Sequence, residues 1–259
     1  AGEIAPEVWE AVAYPERQAE RLVATGLKDW DALLGGGLER GTLSVIMARP
    51  SMGKTALLVQ IADYVTEHGG TVAVFSLEMT SRQWLLRTAC RRARVSVLAL
   101  KQGKANDDQR SRVLQEIAAL SERRNLILDD TPQTTDTARA TCDRLANAGG
   151  LDLVIADHLR LFGDKGENEN KRQGSISWAL KRMAKGLDIP VLAAAQLNRG
   201  VEHQGQDKRP DLKDLRDSGE IEENVDTAAA LYRESYYSEN QLDNSAEIIN
   251  RKARDGERN

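Results

Sequence analysis

Aromatic residues are scarce: 4% of the 259 residues, with two Phe, four Trp and five Tyr. That weakens any reading in which bases stack on a broad aromatic platform. Cysteine is scarcer still, and Cys90 and Cys142 stand far apart, outside any C-x-x-C. This spacing argues against a zinc site and a disulfide framework and fits a reducing cytoplasm. The sequence has no basic-plus-apolar leader and no run of about 18 apolar residues. The expectation is therefore no signal peptide and no membrane span. Charge of one sign is also lacking. The net charge is -4 with 29% charged residues, so the chain as a whole does not advertise nucleic-acid binding. A locally basic face remains compatible with that total, because field and net charge are different quantities. No internal repeat or low-complexity block occurs.

What is present is enough apolar residue, 41%, for a real core. At about 150 residues per domain, the length allows one large α/β domain or two small ones. The most informative stretch is Leu43 to Asp63. Leu43, Val45, Ile46 and Met47 read as a buried strand. A tight loop follows, Ala48-Arg49-Pro50-Ser51-Met52-Gly53-Lys54-Thr55, then an apolar-periodic helix with Leu57, Leu58, Ile61, Ala62 and Val65. Strand, small-residue loop, Gly-Lys-Thr and helix make the phosphate-cradling arrangement of P-loop nucleotide hydrolases. Unpaired N–H groups at a helix start converge on one spot, and the helix dipole favours negative charge there. Gly53 lets the backbone approach phosphate, Lys54 reaches the β/γ-phosphates, and the Thr55 hydroxyl suits Mg²⁺. The strict pattern has Gly where this chain has Ala48.

The rest of the chain alternates strand and helix. Strands are expected at Thr71–Leu77, Leu126–Leu128, Leu151–Ala156, Pro190–Ala195, Ala228–Tyr232 and around Ile248-Ile249. Helices are expected over Gln83–Arg94, around Leu114–Leu120, over 133–147 and over Ile176–Leu187. Residues 1–24 read as a linker or short helical segment, with Val8, Trp9, Val12 and Ala13 on one face and Tyr14-Pro15 interrupting it. The triple glycine Gly35–Gly37 reads as a tight structural connection, and Gly163–Gly174 and Asn198–Asn224 as the longest coils. This pattern predicts a mostly parallel sheet covered on both faces, with ligands beyond the carboxyl ends of its strands. The polar residues at those ends become candidates. Asp157 suits the Mg²⁺ carboxylate of such enzymes. Glu78 suits a base for the attacking water. Gln196 suits a neutral sensor of the γ-phosphate. His158 reads as a packing or capping residue, and His68 and His203 as surface residues.

Several blocks carry a closer resemblance: ARPSMGKT (48–55), FSLEM (75–79), the strand ending in Asp157, AAQLNR (194–199), RPDLKDLRDSGEIEENVD (209–226) and EIINRKARDG (247–256). Together, from Thr25 to the end, they resemble the C-terminal RecA-like motor domain of the replicative DnaB-type DNA helicases, in which Ala is common at the position of Ala48. The resemblance implies an α/β fold with a C-terminal β-hairpin, in a homohexameric ring that hydrolyses ATP with Mg²⁺ at subunit interfaces and moves along single-stranded DNA. It implies nucleotide binding by Arg49, Pro50, Ser51, Met52, Gly53, Lys54, Thr55, Ala56 and Arg87, and metal binding by Thr55 and Asp157. It makes Glu78 the catalytic base, Gln196 the γ-phosphate sensor, and Lys252 and Arg254 a pair donated to the next subunit's ATP. Arg216, Asp217 and Gly219 fall in the segment that contacts the DNA backbone.

Some features depart from the family. His158 stands where Tyr is usual, and Asn224 where Asp is frequent. The family's helical N-terminal domain has no counterpart in the sequence, so primase and a helicase loader are expected as partners of a longer protein. Two other readings share the same phosphate residues. One is a RecA-like hexameric ATPase of recombinase or clock type without unwinding. The other is a nucleotide-dependent assembly module.

Overall fold

The computed structural model of the chain describes residues 12–14, 18–197, 208–212, 214, 219–237 and 245–253. Strands that are apolar at nearly every position need cover on both faces, and they find it. A short antiparallel pair comes first, β1 (Leu22–Val23) with β2 (Leu38–Glu39). The main strands are β3 (Leu43–Ala48), β4 (Val72–Ser76), β5 (Leu126–Asp129), β6 (Leu153–Asp157), β7 (Val191–Gln196), β8 (Thr227–Tyr232) and β9 (Glu247–Ala253). They form one seven-stranded sheet in the order β5-β4-β6-β7-β3-β8-β9. All neighbours are parallel except β8 and β9, which close the sheet as an antiparallel pair with a register shift at Ala228/Ala229. The expected α/β architecture with a C-terminal hairpin is therefore present.

The helices are α1 (Lys28–Leu33), α2 (Lys54–Glu67), α3 (Ser81–Ala93), α4 (Val97–Lys101), α5 (Asp107–Ser121), α6 (Thr135–Gly149), α7 (Glu169–Leu187) and α8 (Gly219–Asn224). Alternation along each strand divides the core in two. Val45, Met47, Phe75, Val154 and Ala193 face one way and pack with Ala138 and Cys142 of α6 and Ile176, Leu180 and Met183 of α7. Ile46, Val74, Ile155 and Leu192 face the other way and meet Leu58, Ile61 and Val65 of α2, Trp84 of α3 and Trp30 of α1. A satellite core between α3 and α5 holds Ala89, Cys90, Val113 and Leu120.

Two expected coils turn out partly helical. α7 starts at Glu169, ahead of the apolar periodicity that begins at Ile176. Its first turns are polar and are held by local bonds. Asn168 accepts from the Lys171 N–H, Arg172 pairs with Glu169, and Arg172 also donates to the Phe162 and Arg160 carbonyls. α8 lies inside the coil expected to run to Asn224, anchored by buried Ile221. The short helices α1 and α4 had no periodic signal of their own. The triple glycine is structural. Gly37 sits at φ 150°, and a Cβ there would lie 2.4 Å from the Val23 carbonyl oxygen. Only Gly lets β1 and the turn approach so closely.

One buried charge ties three elements together. Asp63 of α2 accepts from Arg92 Nε at 2.8 Å and Arg123 Nη1 at 3.4 Å, and pairs with Arg91. Removing a fully paired buried carboxylate strands its partners. Asp63→Ala is expected to lower unfolding stability by about 3–5 kcal/mol in urea titration. The two thiols give a second check. Burial pushes Cys142 up to about 12, aided by Asp143, and burial also raises Cys90. Neither is in a disulfide. A thiol reagent at pH 8 is expected to label both only after denaturant is added.

Candidate nucleotide site

The parallel register brings the polar strand ends to one edge. Ser76 of β4 is level with Asp157 of β6, and Ala48 of β3 is level with Gln196 of β7. The chain leaves β3 through residues 49–53 and enters α2 at Lys54. Gly53 caps that helix with φ 102°, a left-handed conformation that disfavours any Cβ. Ser51 also has positive φ, 65°. Met52 is buried and pins the loop to the core beneath. The first turn of α2 has no side-chain cap and no acidic residue, so its N–H groups and dipole remain directed at the loop. Such an uncapped helix start favours negative charge.

Lys54 is only 8% exposed. Its Nζ donates to the carbonyl oxygens of Ala48 at 3.1 Å and Arg49 at 3.4 Å. Burial lowers its pKa, opposed by the negative charges of Glu78 and then Asp157. Lys54, Glu78 and Asp157 thus feel one another's charge, as a shared triphosphate site requires. Asp157 is 0% exposed. Its Oδ2 accepts from Thr55 Oγ1 at 2.8 Å, while its Oδ1 is buried without a hydrogen-bond partner. Burial raises its pKa, countered by the Thr55 hydroxyl. A buried carboxylate oxygen with no partner is costly unless a cation satisfies it. One carboxylate beside one hydroxyl, with phosphate oxygens to complete the shell, is the donor set Mg²⁺ accepts.

Glu78 lies in the bend just past β4, and its side chain is 56% exposed. Position and exposure leave its carboxylate open to water. His158 is packed, as its sequence position suggested, but it also faces Glu78, with Nε2 3.9 Å from Oε2. Burial lowers its pKa, which favours the neutral imidazole. Arg87, on the exposed side of α3, is near enough for its charge to stabilise ionised Asp157. Gln196 ends β7 half-buried. Lys252 lies on the edge strand β9 and donates to the Glu222 carbonyl at 2.5 Å. Gly219 starts α8. Arg216, Asp217 and Arg254 lie outside the described residues, as do Asn198, Arg199, His203 and the segment holding Val8 and Trp9.

Sequence reading missed one feature. Arg49 Nη1 donates to the Tyr237 hydroxyl at 3.3 Å, and its guanidinium lies 5.9 Å from the Tyr236 ring centre and 5.8 Å from that of Tyr237. The two rings meet edge to face at 5.1 Å, and Tyr236 is partly exposed. An aromatic wall therefore stands beside the phosphate loop. The adjacent tyrosines were visible as residues, but the separation of 188 positions between Arg49 and Tyr237 hid the contact.

Comparison with known proteins agrees with this fold. The family model described as the DnaB-like helicase C terminal domain matches residues 23–259. The replicative DNA helicase DnaB of Geobacillus stearothermophilus is 38% identical over 240 residues, covering 90% of this chain and 52% of that protein. The replicative DNA helicase DnaC of Bacillus subtilis shows the same identity and coverage. The chain thus spans about half the length of the curated relatives it matches. A solved ATPase domain superimposes with a TM-score of 0.88 at 29% identity, covering 100% of this chain and 94% of that one. A DnaB-like replicative helicase, described together with its interactions with primase, gives the same TM-score and identity while 63% of its chain is covered. With the fold, the strand-end residues and a match over nearly its whole length in agreement, the chain belongs to the DnaB-like helicase C-terminal domain family.

Proposed function

We propose that this chain is the ATP-hydrolysing motor of a replicative DNA helicase, working on single-stranded DNA in the cytoplasm as part of a hexameric ring. The observation that carries the reading is buried Asp157 at the end of β6: it is bonded to half-buried Thr55 of α2, its second carboxylate oxygen is unpartnered, and Lys54 is close by. Primase and a loader are partners of the longer protein in this reading. The alternative, a RecA-like ATPase without unwinding, shares the same nucleotide residues, and a forked-duplex unwinding assay separates the two.

In this mechanism the α2 N–H groups and Lys54 hold the β- and γ-phosphates of ATP. Thr55 and Asp157 hold Mg²⁺, which neutralises phosphate charge when bound. Glu78 accepts a proton from the attacking water, whose oxygen bonds to the γ-phosphorus as the bond to the ADP oxygen breaks. Exposure keeps Glu78 within reach of that water, and neutral His158 adds no competing positive charge beside it. Gln196, level with Ala48, reports loss of the γ-phosphate to the residues that follow β7. The exposed face of Tyr236 takes the base side of the nucleotide. Lys252 and Arg254 act on the neighbouring subunit's ATP, so hydrolysis depends on assembly.

Lys54→Ala is expected to abolish ATP hydrolysis, and Glu78→Gln to lower turnover by about 10²–10⁴ while nucleotide binding persists, both read by phosphate release and a fluorescent nucleotide. Undiminished hydrolysis in Lys54→Ala would falsify the reading. Arg254→Ala is expected to bind ATP nearly normally and to lose about 10³ in turnover. Mixing it with Lys54→Ala is expected to restore part of the activity, because each subunit supplies what its neighbour lacks. No rescue in any mixing ratio shows that Arg254 does not act across an interface.

A further inference from the structure

The outer side of α7 carries chemistry that the nucleotide site does not use. Its inner side, Ile176, Leu180 and Met183, is buried in the core. Its outer side presents Lys171, Ser175, Trp178, Arg182 and Lys185, all exposed. Spacings of three and four residues keep them on one face, over roughly 21 Å of helix. Trp178 is 55% exposed, whereas Trp30 and Trp84 are buried. More than half of this indole is open to water at the centre of a cationic row.

The charges around it are unevenly used. Lys181 pairs with Asp226, Arg172 with Glu169 and Lys171 with Glu167. Arg182 and Lys185 have no ion-pair partner among the described residues. They line a groove of about 460 Å³ between α6 and α7, together with Arg139 and Gly186. Arg139 is paired with Asp143 and lies across Gly186, where a Cβ would come within 3.0 Å of its Nη1. The groove has one acid, Asp136. Two cations without an ion-pair partner among the described residues, ion-paired Arg139 beside them and a half-exposed indole fit a ligand with negative charges and flat rings. An acidic peptide would satisfy the cations and leave the indole idle. A single-stranded nucleic acid uses both, because phosphates meet cations and an unpaired base stacks on the ring.

We propose that the outer face of α7 and the adjoining α6–α7 groove form a contact surface for single-stranded DNA, with Trp178 stacking on a base and Arg182, Lys185 and Arg139 holding phosphates. The proposal rests on the single-strand motor reading but places the contact on residues outside the triphosphate site. The surface reads no sequence, since every base offers a π-face and every nucleotide a phosphate.

The test uses this chain without nucleotide, titrated with a thymidine oligonucleotide and followed by tryptophan emission and anisotropy. Trp178→Ala is expected to remove most of the emission quench and weaken binding about fivefold or more. Trp178→Phe keeps a ring and is expected to recover much of the affinity. The double variant Arg182→Ala, Lys185→Ala is expected to flatten the slope of log affinity against log salt by about 1.4, two phosphates at about 0.7 each. DNA-independent ATPase is expected to stay at the wild-type level in all three. The proposal is overturned if the variants bind DNA like wild type, or if they lose poly-L-glutamate binding in the same proportion as DNA. It is equally overturned if the substitutions change oligomeric state and leave DNA affinity as it was. Wild-type binding with unaffected variants sinks this surface alone. A wild-type chain that binds no single strand sinks the motor reading with it.

Discussion

The structure depends on taking the Asp157 carboxylate out of water at the end of a parallel strand. That burial is unfavourable by itself, and the rise in its pKa expresses the cost. The Thr55 hydroxyl, one hydrogen bond at 2.8 Å, offsets part of it. That bond in turn requires the first turn of α2 to sit beside the tip of β6, although β7 lies between β6 and β3. Everything near the site follows from this placement: the loop geometry, the buried Lys54 and the position of Glu78 past the neighbouring strand.

A second buried carboxylate shows what a purely structural charge looks like. Asp63 is as well hidden as Asp157 but is surrounded by Arg91, Arg92 and Arg123. Its lone pairs are used, and its job is to bind α2 to α3 and to the turn before β5. Asp157 has one hydroxyl and an unsatisfied oxygen. The difference between these two acids is hydrogen-bond completeness, not burial: Asp63 is a fastener, while Asp157 keeps an oxygen that a cation could satisfy.

The two faces of the sheet divide the labour. The α2 and α3 face presents the phosphate loop and Arg87. The α6 and α7 face packs its apolar side into the core and turns a cationic, Trp-bearing side outward. A net charge of -4 conceals this, because acids elsewhere in the chain, several of them paired with cations, outweigh the local surplus. Local surplus governs contact with a polyanion, and total charge does not.

Much of this was legible in the residues alone. The apolar residues Leu43 to Met47 and the runs Thr71–Leu77, Leu151–Ala156 and Pro190–Ala195 pointed to a sheet covered on both faces, and Gly53-Lys54-Thr55 between strand and helix pointed to an anion at the helix start. The polar residues Glu78, Asp157 and Gln196 at the ends of three runs stood out as candidates, because chain direction decides which end of a parallel strand faces a ligand. Local sequence carried no signal for helices without periodicity. The first turns of α7 and all of α8 are held by Asn168, Arg172 and a single buried Ile221, so they looked like coil. Contacts between distant segments were also invisible. Whether Asp157 met Thr55, whether Arg49 met Tyr237, and which acids left Arg182 and Lys185 unpaired are questions of strand order and burial. The sequence thus determined which groups were available, since side-chain chemistry and apolar period are local properties. Tertiary structure alone decided which of them share a site, because desolvation and hydrogen-bond completeness exist only once the chain has closed around them.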